Sequence, residues 1–162
     1  MKMKKLVALI VIVSMILTLA KGTESKAGTV SRNDGDEQIL SIEYLENGGF
    51  VITTIENITE NNRSQVTKSK KKTFYSSAGV AEWAVKVKGT FTYDGTTSSC
   101  LSDSVTTYVY SGGWSITNSS SSHYSNVASA SATAVIRDSS GAVFIRETMN
   151  VSLTCSANGE FY

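Results

Sequence analysis

A chain of 162 residues is long enough for one domain and too short for two substantial ones. Fifteen Lys and Arg against fourteen Asp and Glu give a formal charge of +1, so nothing global marks a nucleic-acid surface. One His rules out poly-His metal sites, and a polar fraction dominated by Ser and Thr favours strands and turns over helices.

The chain opens on Lys2, Lys4 and Lys5, followed by an uncharged, largely apolar run from Leu6 to Ala20. As helix that run is roughly 22 Å long, short of the ~30 Å of a bilayer's hydrocarbon. A basic start, a short apolar stretch and small residues at its end predict a secretory signal helix within residues 1–27, cleaved after Ala20 or after Ala27. Contact with a membrane is then expected only through this segment before cleavage. No Cys stands near either point, which excludes a lipid anchor on a mature N-terminal Cys. Cleavage after Ala20 removes three of the fifteen basic residues and none of the fourteen acidic ones, leaving a mildly acidic −2.

Residues 28–38 are small, polar and charged and read as a flexible lead-in to a single domain over 39–162. Two strand-like runs, Ile39 to Leu45 and Phe50 to Ile55, flank Glu46-Asn47-Gly48-Gly49, where Asn-Gly signals a hairpin. Glu56 to Lys68 reads as a loop, and the basic cluster Lys68, Lys70, Lys71 and Lys72 as a solvated strand start whose charges discourage edge pairing. From Val80 to Tyr93 the alternation is sustained. Ala81, Trp83, Val85, Val87, Gly89, Phe91 and Tyr93 share one face, with Glu82, Ala84, Lys86, Lys88, Thr90 and Thr92 on the other.

A further strand is expected at Val105 to Tyr110, broken by Gly112-Gly113, and a shorter one from Trp114 that runs into a Ser119 to Ser122 loop carrying His123. Ala128, Ala130, Ala132 and Ala134 then alternate, a surface shaped to receive bulky neighbours such as the two Trp rings. The last strand puts Val143, Ile145, Met149, Val151, Leu153 and Cys155 on one face, interrupted by Glu147. Ser76-Ser77-Ala78-Gly79 and Asp138-Ser139-Ser140-Gly141 are similar turns that feed the two longest alternating runs. Eight or nine strands without a helix after the signal predict an all-β fold, an antiparallel β-sandwich that is immunoglobulin-like in general architecture but not in topology. About four strands precede Cys100 where an immunoglobulin domain would have one, and Leu153 stands in place of its corner tyrosine.

Cys100 and Cys155 are the only cysteines, and an even count in an exported chain predicts a disulfide between them. Catalytic signals are sparse. His123 lies among serines with no Gly-x-Ser-x-Gly turn, while Glu82 and Glu147 are the only carboxylates within strong strand patterns. A carboxylate on a core-directed face, as Glu147 is, needs a partner or a site. No catalytic residue, metal or cofactor is expected. The aromatic residues Tyr108, Tyr110, Trp114 and Tyr124 gather around the loops and form the candidate binding set, suited to stacking on a cell-surface glycan or anchoring a protein partner.

Lys70 to Tyr75, Trp83, Phe91-Thr92-Tyr93-Asp94-Gly95, Cys100, Trp114 and Leu153-Thr154-Cys155-Ser156-Ala157-Asn158-Gly159 resemble a family of small secreted proteins of Gram-positive bacteria, of unknown function. The resemblance covers roughly Glu43 to the C-terminus. It implies export, a disulfide and an all-β fold, and brings no catalytic residue with it. The expected role is a secreted, non-enzymatic β-sandwich that binds a glycan or protein at or outside the cell surface. A bacteriocin-like antagonist is the alternative, and a small glycan hydrolase the weaker one.

Overall fold

The computed structural model describes residues 37–56 and 65–162. The expected signal segment, most of the lead-in and residues 57–64 of the expected loop lie outside the described residues. Eight strands follow one another: β1 (Glu37–Tyr44), β2 (Phe50–Glu56), β3 (Val66–Tyr75), β4 (Ala81–Tyr93), β5 (Ser98–Val109), β6 (Trp114–Tyr124), β7 (Val127–Arg137) and β8 (Val143–Thr154). They form two antiparallel sheets, β1-β2-β3-β4-β5 and β6-β7-β8, each with its strands in chain order. Two stacked meanders give a sandwich without the Greek-key crossing of an immunoglobulin domain.

The alternation of β4 is expressed as expected, with Trp83, Val85, Val87 and Phe91 fully buried. Facing it, the alanine row of β7 is also buried. Small side chains there let the sheets approach closely: a Cβ added to Gly89 would stand 2.9 Å from that of Ala128. The tryptophans pack on each other with ring centroids 6.1 Å apart, in the same buried cluster as the alanines. Phe161 returns to bridge Cys155 and meets Phe91 edge-on at 5.3 Å, closing one end of the core.

Tight turns set the registers. Leu45 to Gly49, Ser76 to Val80, Asp138 to Ala142 and Ser156 to Glu160 share one hydrogen-bond pattern, with a left-handed Gly at the fourth position. A type I turn closed by a left-handed glycine joins strands without splaying them. Because the pattern occurs four times, turn chemistry alone accounts for the likeness of the two hairpins seen in sequence.

Two expectations are corrected. The lysine cluster does not guard an edge, because β3 lies between β2 and β4. Lys68, Lys70 and Lys72 lie on the core-directed side with Phe74, and Lys71 on the opposite side, as the pairing with β4 shows. On the core-directed side Lys68 Nζ lies 5.7 Å from the Phe161 ring centre, Lys72 Nζ lies 3.6 Å from Glu43 Oε1, and burial pushes the Lys70 ammonium down. The serine run is likewise strand and not loop. Ser119, Ser121 and His123 pair with Ala132, Ala130 and Ala128 in an unbroken ladder. Backbone pairing with the well-packed β7 overrides the weak strand preference of serine at a sheet edge.

Candidate functional site

The face of the five-stranded sheet turned away from the second sheet carries the richest arrangement of polar and aromatic side chains. Since Val51, Phe74, Trp83 and Val85 face the core, their neighbours of opposite parity face outward. The registers align Thr54 with Lys71 and Lys71 with Lys86, and place Glu56 beside Ser69. The result is a chain of charges across three strands and the start of a fourth. Lys71 Nζ lies 2.8 Å from Glu37 Oε1 and 3.9 Å from Glu56 Oε1, and Lys86 Nζ lies 3.3 Å from Glu56 Oε2. Ser69 donates to Glu56 at 2.7 Å, and the Thr54 hydroxyl donates to Glu37.

Glu37, Lys71 and Lys86 are each held in the charged form. Burial pushes the Glu37 carboxyl up, but the Lys71 ammonium and Thr54 hydroxyl more than offset it and leave it below the usual carboxylate range. Burial depresses Lys71 and Lys86. Glu37 outweighs that for Lys71, and the Tyr108 phenol together with Glu56 does so for Lys86, so both ammoniums end above their ordinary value.

Aromatic rings border the charges at both ends. Tyr108 and Tyr110 are stacked, with centroids 6.0 Å apart and planes 2° from parallel, and Lys86 Nζ sits 5.5 Å from the Tyr108 ring centre. Burial raises the Tyr110 phenol, while Lys71 on β3 acts against it, and both residues line the same groove. On β4 between them the residues are small, Ala84 being paired with Tyr108 and fully buried. At the other end Phe50 and Tyr75 stack at 4.9 Å, and Tyr44 adds a tilted contact with Phe50 at 5.9 Å. Between the borders runs an open groove of about 420 Å³, walled by Tyr75 and Tyr110 and floored by Thr54, Lys71 and Thr73. It is amphipathic and offers both donors and acceptors.

Of the expected binding residues, Tyr108 and Tyr110 meet here. Trp114 does not: it is 9% exposed, packs against Trp83 and Phe74, and gives its indole N–H to Glu82 Oε2 at 3.0 Å. Gly112-Gly113 carries the chain into the other sheet, which turns this ring inward. Tyr124 is 86% exposed but belongs to the second sheet, apart from the groove. Sequence reasoning missed Tyr44, Phe50, Tyr75 and Glu37. Their alternation with Val51 and Phe74 was a usable signal once the hairpin register was known.

Two of the other chemical candidates, Glu82 and His123, have structural partners. Glu82 accepts from Trp114 and from the Ser111 hydroxyl, clamping the β5–β6 connection. His123 Nδ1 stands 2.5 Å from Asp103 Oδ1, linking the outer strands of the two sheets. Ser121 and His123 together hold Asp103 below its usual range. A depressed carboxylate stabilises the fold above its unfolded value of ~3.9, and that contribution is lost as pH falls through the lower folded value. Asp103→Asn is therefore expected to lower stability at pH 7 by on the order of 1 kcal/mol, the scale of a solvent-screened pair. Denaturant titrations should show this difference disappearing in acid; a difference constant from pH 7 to pH 2 would exclude the linkage.

Cys100 and Cys155, expected as a disulfide, are unbonded buried thiols in this structure. Each has a hydrogen-bond acceptor, Cys100 donating to the Ser102 carbonyl and Cys155 to that of Ser156, both at 3.3 Å. Burial pushes both thiols up, and the charge of a neighbouring Cys100 thiolate would raise Cys155 further. Their main chains meet at one corner. The Cys100 N–H donates to the Ser125 carbonyl at 2.7 Å and the Cys155 N–H to that of Asn126 at 3.0 Å, in the turn between β6 and β7.

Among the described residues, no three His, Cys, Asp or Glu side chains gather as metal ligands, and no helix is long and apolar enough to cross a membrane. No protein-family model, curated protein or solved structure matches the chain.

Proposed function

We propose that the protein is exported and, without catalysing a reaction, binds a glycan in the groove on the outer face of its five-stranded sheet. The observation that carries this reading is the pairing of half-exposed tyrosine rings with a continuous row of fixed charges. An apolar sugar face stacks on Tyr75 or Tyr110, while hydroxyls find acceptors in Glu37 and a donor in Lys71. The sheet presents these groups already ordered, so little entropy is lost on binding. Export rests on the basic, then apolar N-terminal stretch and on the resemblance to small secreted proteins.

A glycan array probed with the mature protein tests the proposal. Tyr110→Ala and Tyr75→Ala are each expected to weaken binding of the captured glycan at least tenfold, with a thermal transition close to wild type because both rings lie at the surface. Capture of no glycan, or binding indifferent to both substitutions, would remove the groove from consideration. Export also brings Cys100 and Cys155 into an oxidising environment, where their meeting at the Ser125–Asn126 corner favours a cross-link between the sheets.

A further inference from the structure

The outer-face groove changes chemistry along its length. At one end stand Tyr75 and Tyr110, with the small Ala81 of β4 lining the floor between them. Lys71 lies four residues back along β3 from Tyr75, roughly 13 Å of strand. There it meets Glu37, and neither group is sealed from solvent, their side chains being 18% and 35% exposed. Ile39 and Ile52, both half-buried, line the groove beside this ion pair. Ile39 follows Glu37 on the same face of β1, and Ile52 lies opposite Thr73 on the neighbouring strand. With Glu37 held below its ordinary value and Lys71 above, the carboxylate only accepts hydrogen bonds and the ammonium only donates them. Lys71 and Thr54 both meet Glu37 at Oε1, so Oε2 remains to accept from a ligand.

Resting on the glycan reading of this groove, we infer that its ligand is an oligosaccharide containing an N-acetylated amino sugar. A plain hexose satisfies the tyrosine wall and the ion pair but sets polar hydroxyls against Ile39 and Ile52. An acetamido group places its methyl on those two side chains while its N–H donates to Glu37 Oε2. The hydroxyl oxygen on the adjacent ring carbon then accepts from Lys71, whose Nζ stands 2.8 Å from Glu37 Oε1. In a trans amide the carbonyl points away from the N–H, so here it stays in the open mouth of the groove, solvated. The charges of Glu37 and Lys71 sum to zero, which suits a neutral substituent. A free amine in the same position lacks the methyl and brings a positive charge beside Lys71. The separation of the tyrosine wall from the ion pair places the stacked ring and the acetamido group on neighbouring sugars of one chain.

Matched trisaccharides that carry 2-acetamido, 2-amino or 2-hydroxyl groups, in the gluco and the galacto series, provide the test. Each is titrated into the mature protein by calorimetry, and saturation transfer from protein to ligand is followed by NMR. In at least one series the acetamido form should bind about tenfold or more tighter than its two counterparts, the scale of one apolar group in a fitted pocket. Its acetyl methyl protons should receive the strongest saturation. Ile52→Thr keeps a β-branched side chain on the strand but removes apolar contact, and should cut that preference to about threefold or less. Its affinity for the hydroxyl form should stay that of wild type. Equal binding of the hydroxyl form that is still lost in Tyr110→Ala would overturn the inference and leave the groove as a glycan site. Preference for the amine, an unchanged preference in Ile52→Thr, or array capture of other glycans with none of these trisaccharides bound would likewise overturn it alone. Capture of no glycan at all would remove both readings.

Discussion

Oxidation of Cys100 and Cys155 to a disulfide is expected to stabilise the sandwich by roughly 4 kcal/mol, the chain-entropy value for a closed loop of about 56 residues. The bond would tie β5 of one sheet to the end of β8 in the other, across the corner where both main chains already donate to Ser125 and Asn126. The two thiols surrender two protons and two electrons to an external low-molecular-weight disulfide, which leaves as two thiols. What is lost is modest, namely the weak bonds from the sulfurs to the Ser102 and Ser156 carbonyls. For a domain of this size the gain corresponds to a thermal midpoint about 15 °C higher. Intact mass should fall by the two hydrogens, and a reductant should bring the midpoint down to that of the Cys100→Ser, Cys155→Ser double variant. A midpoint indifferent to reductant, with two thiols titrating in the unfolded protein, would refute the cross-link.

How much of this molecule was legible beforehand depended on whether side-chain chemistry alternated. In β4 and β7 it does, and there the buried faces follow directly from the residues. In β3 lysines occupy both faces, and Thr73 and Phe74, on opposite faces, are both buried, so period two is invisible. In β6 the serines look alike on either side, and only the ladder with β7 distinguishes Ser121, which helps to lower Asp103, from Ser122. The groove was harder still. Glu37, Lys71 and Tyr110 are brought together by the register of five strands, which no local pattern encodes. Tyr108 and Tyr110 were found because they are near neighbours in sequence, and the same reasoning failed for Trp114, four residues on but in the other sheet. Glu147 is the opposite case: its break in an otherwise apolar face marked a position that lines a cavity.

The tryptophans offer a sharper test of what holds the core than either burial or sequence pattern. Trp83→Ala removes a fully buried ring in contact with Trp114 and should cost about 3–5 kcal/mol, a large share of a typical domain's stability. The Phe variants separate packing from hydrogen bonding. Trp83→Phe loses part of the ring volume but also deletes an indole N–H with no acceptor among the described residues, whose burial carries a penalty of about 1–3 kcal/mol. The two effects oppose, so this variant should fall within about 1 kcal/mol of wild type. Trp114→Phe makes the same change in volume but takes a donor from Glu82, whose carboxylate also receives the Ser111 hydroxyl and anchors the β5–β6 connection. Hydrogen bonds to charged groups contribute about 1.5–3 kcal/mol, so Trp114→Phe should be the more destabilising of the pair. Burial alone ranks them the other way, since Trp83 is 0% exposed and Trp114 9%. Urea unfolding of both variants under reducing conditions decides the order. If Trp83→Phe proves the worse, the indole N–H has an acceptor in solution, and shape complementarity outweighs polar satisfaction at the centre of the sandwich.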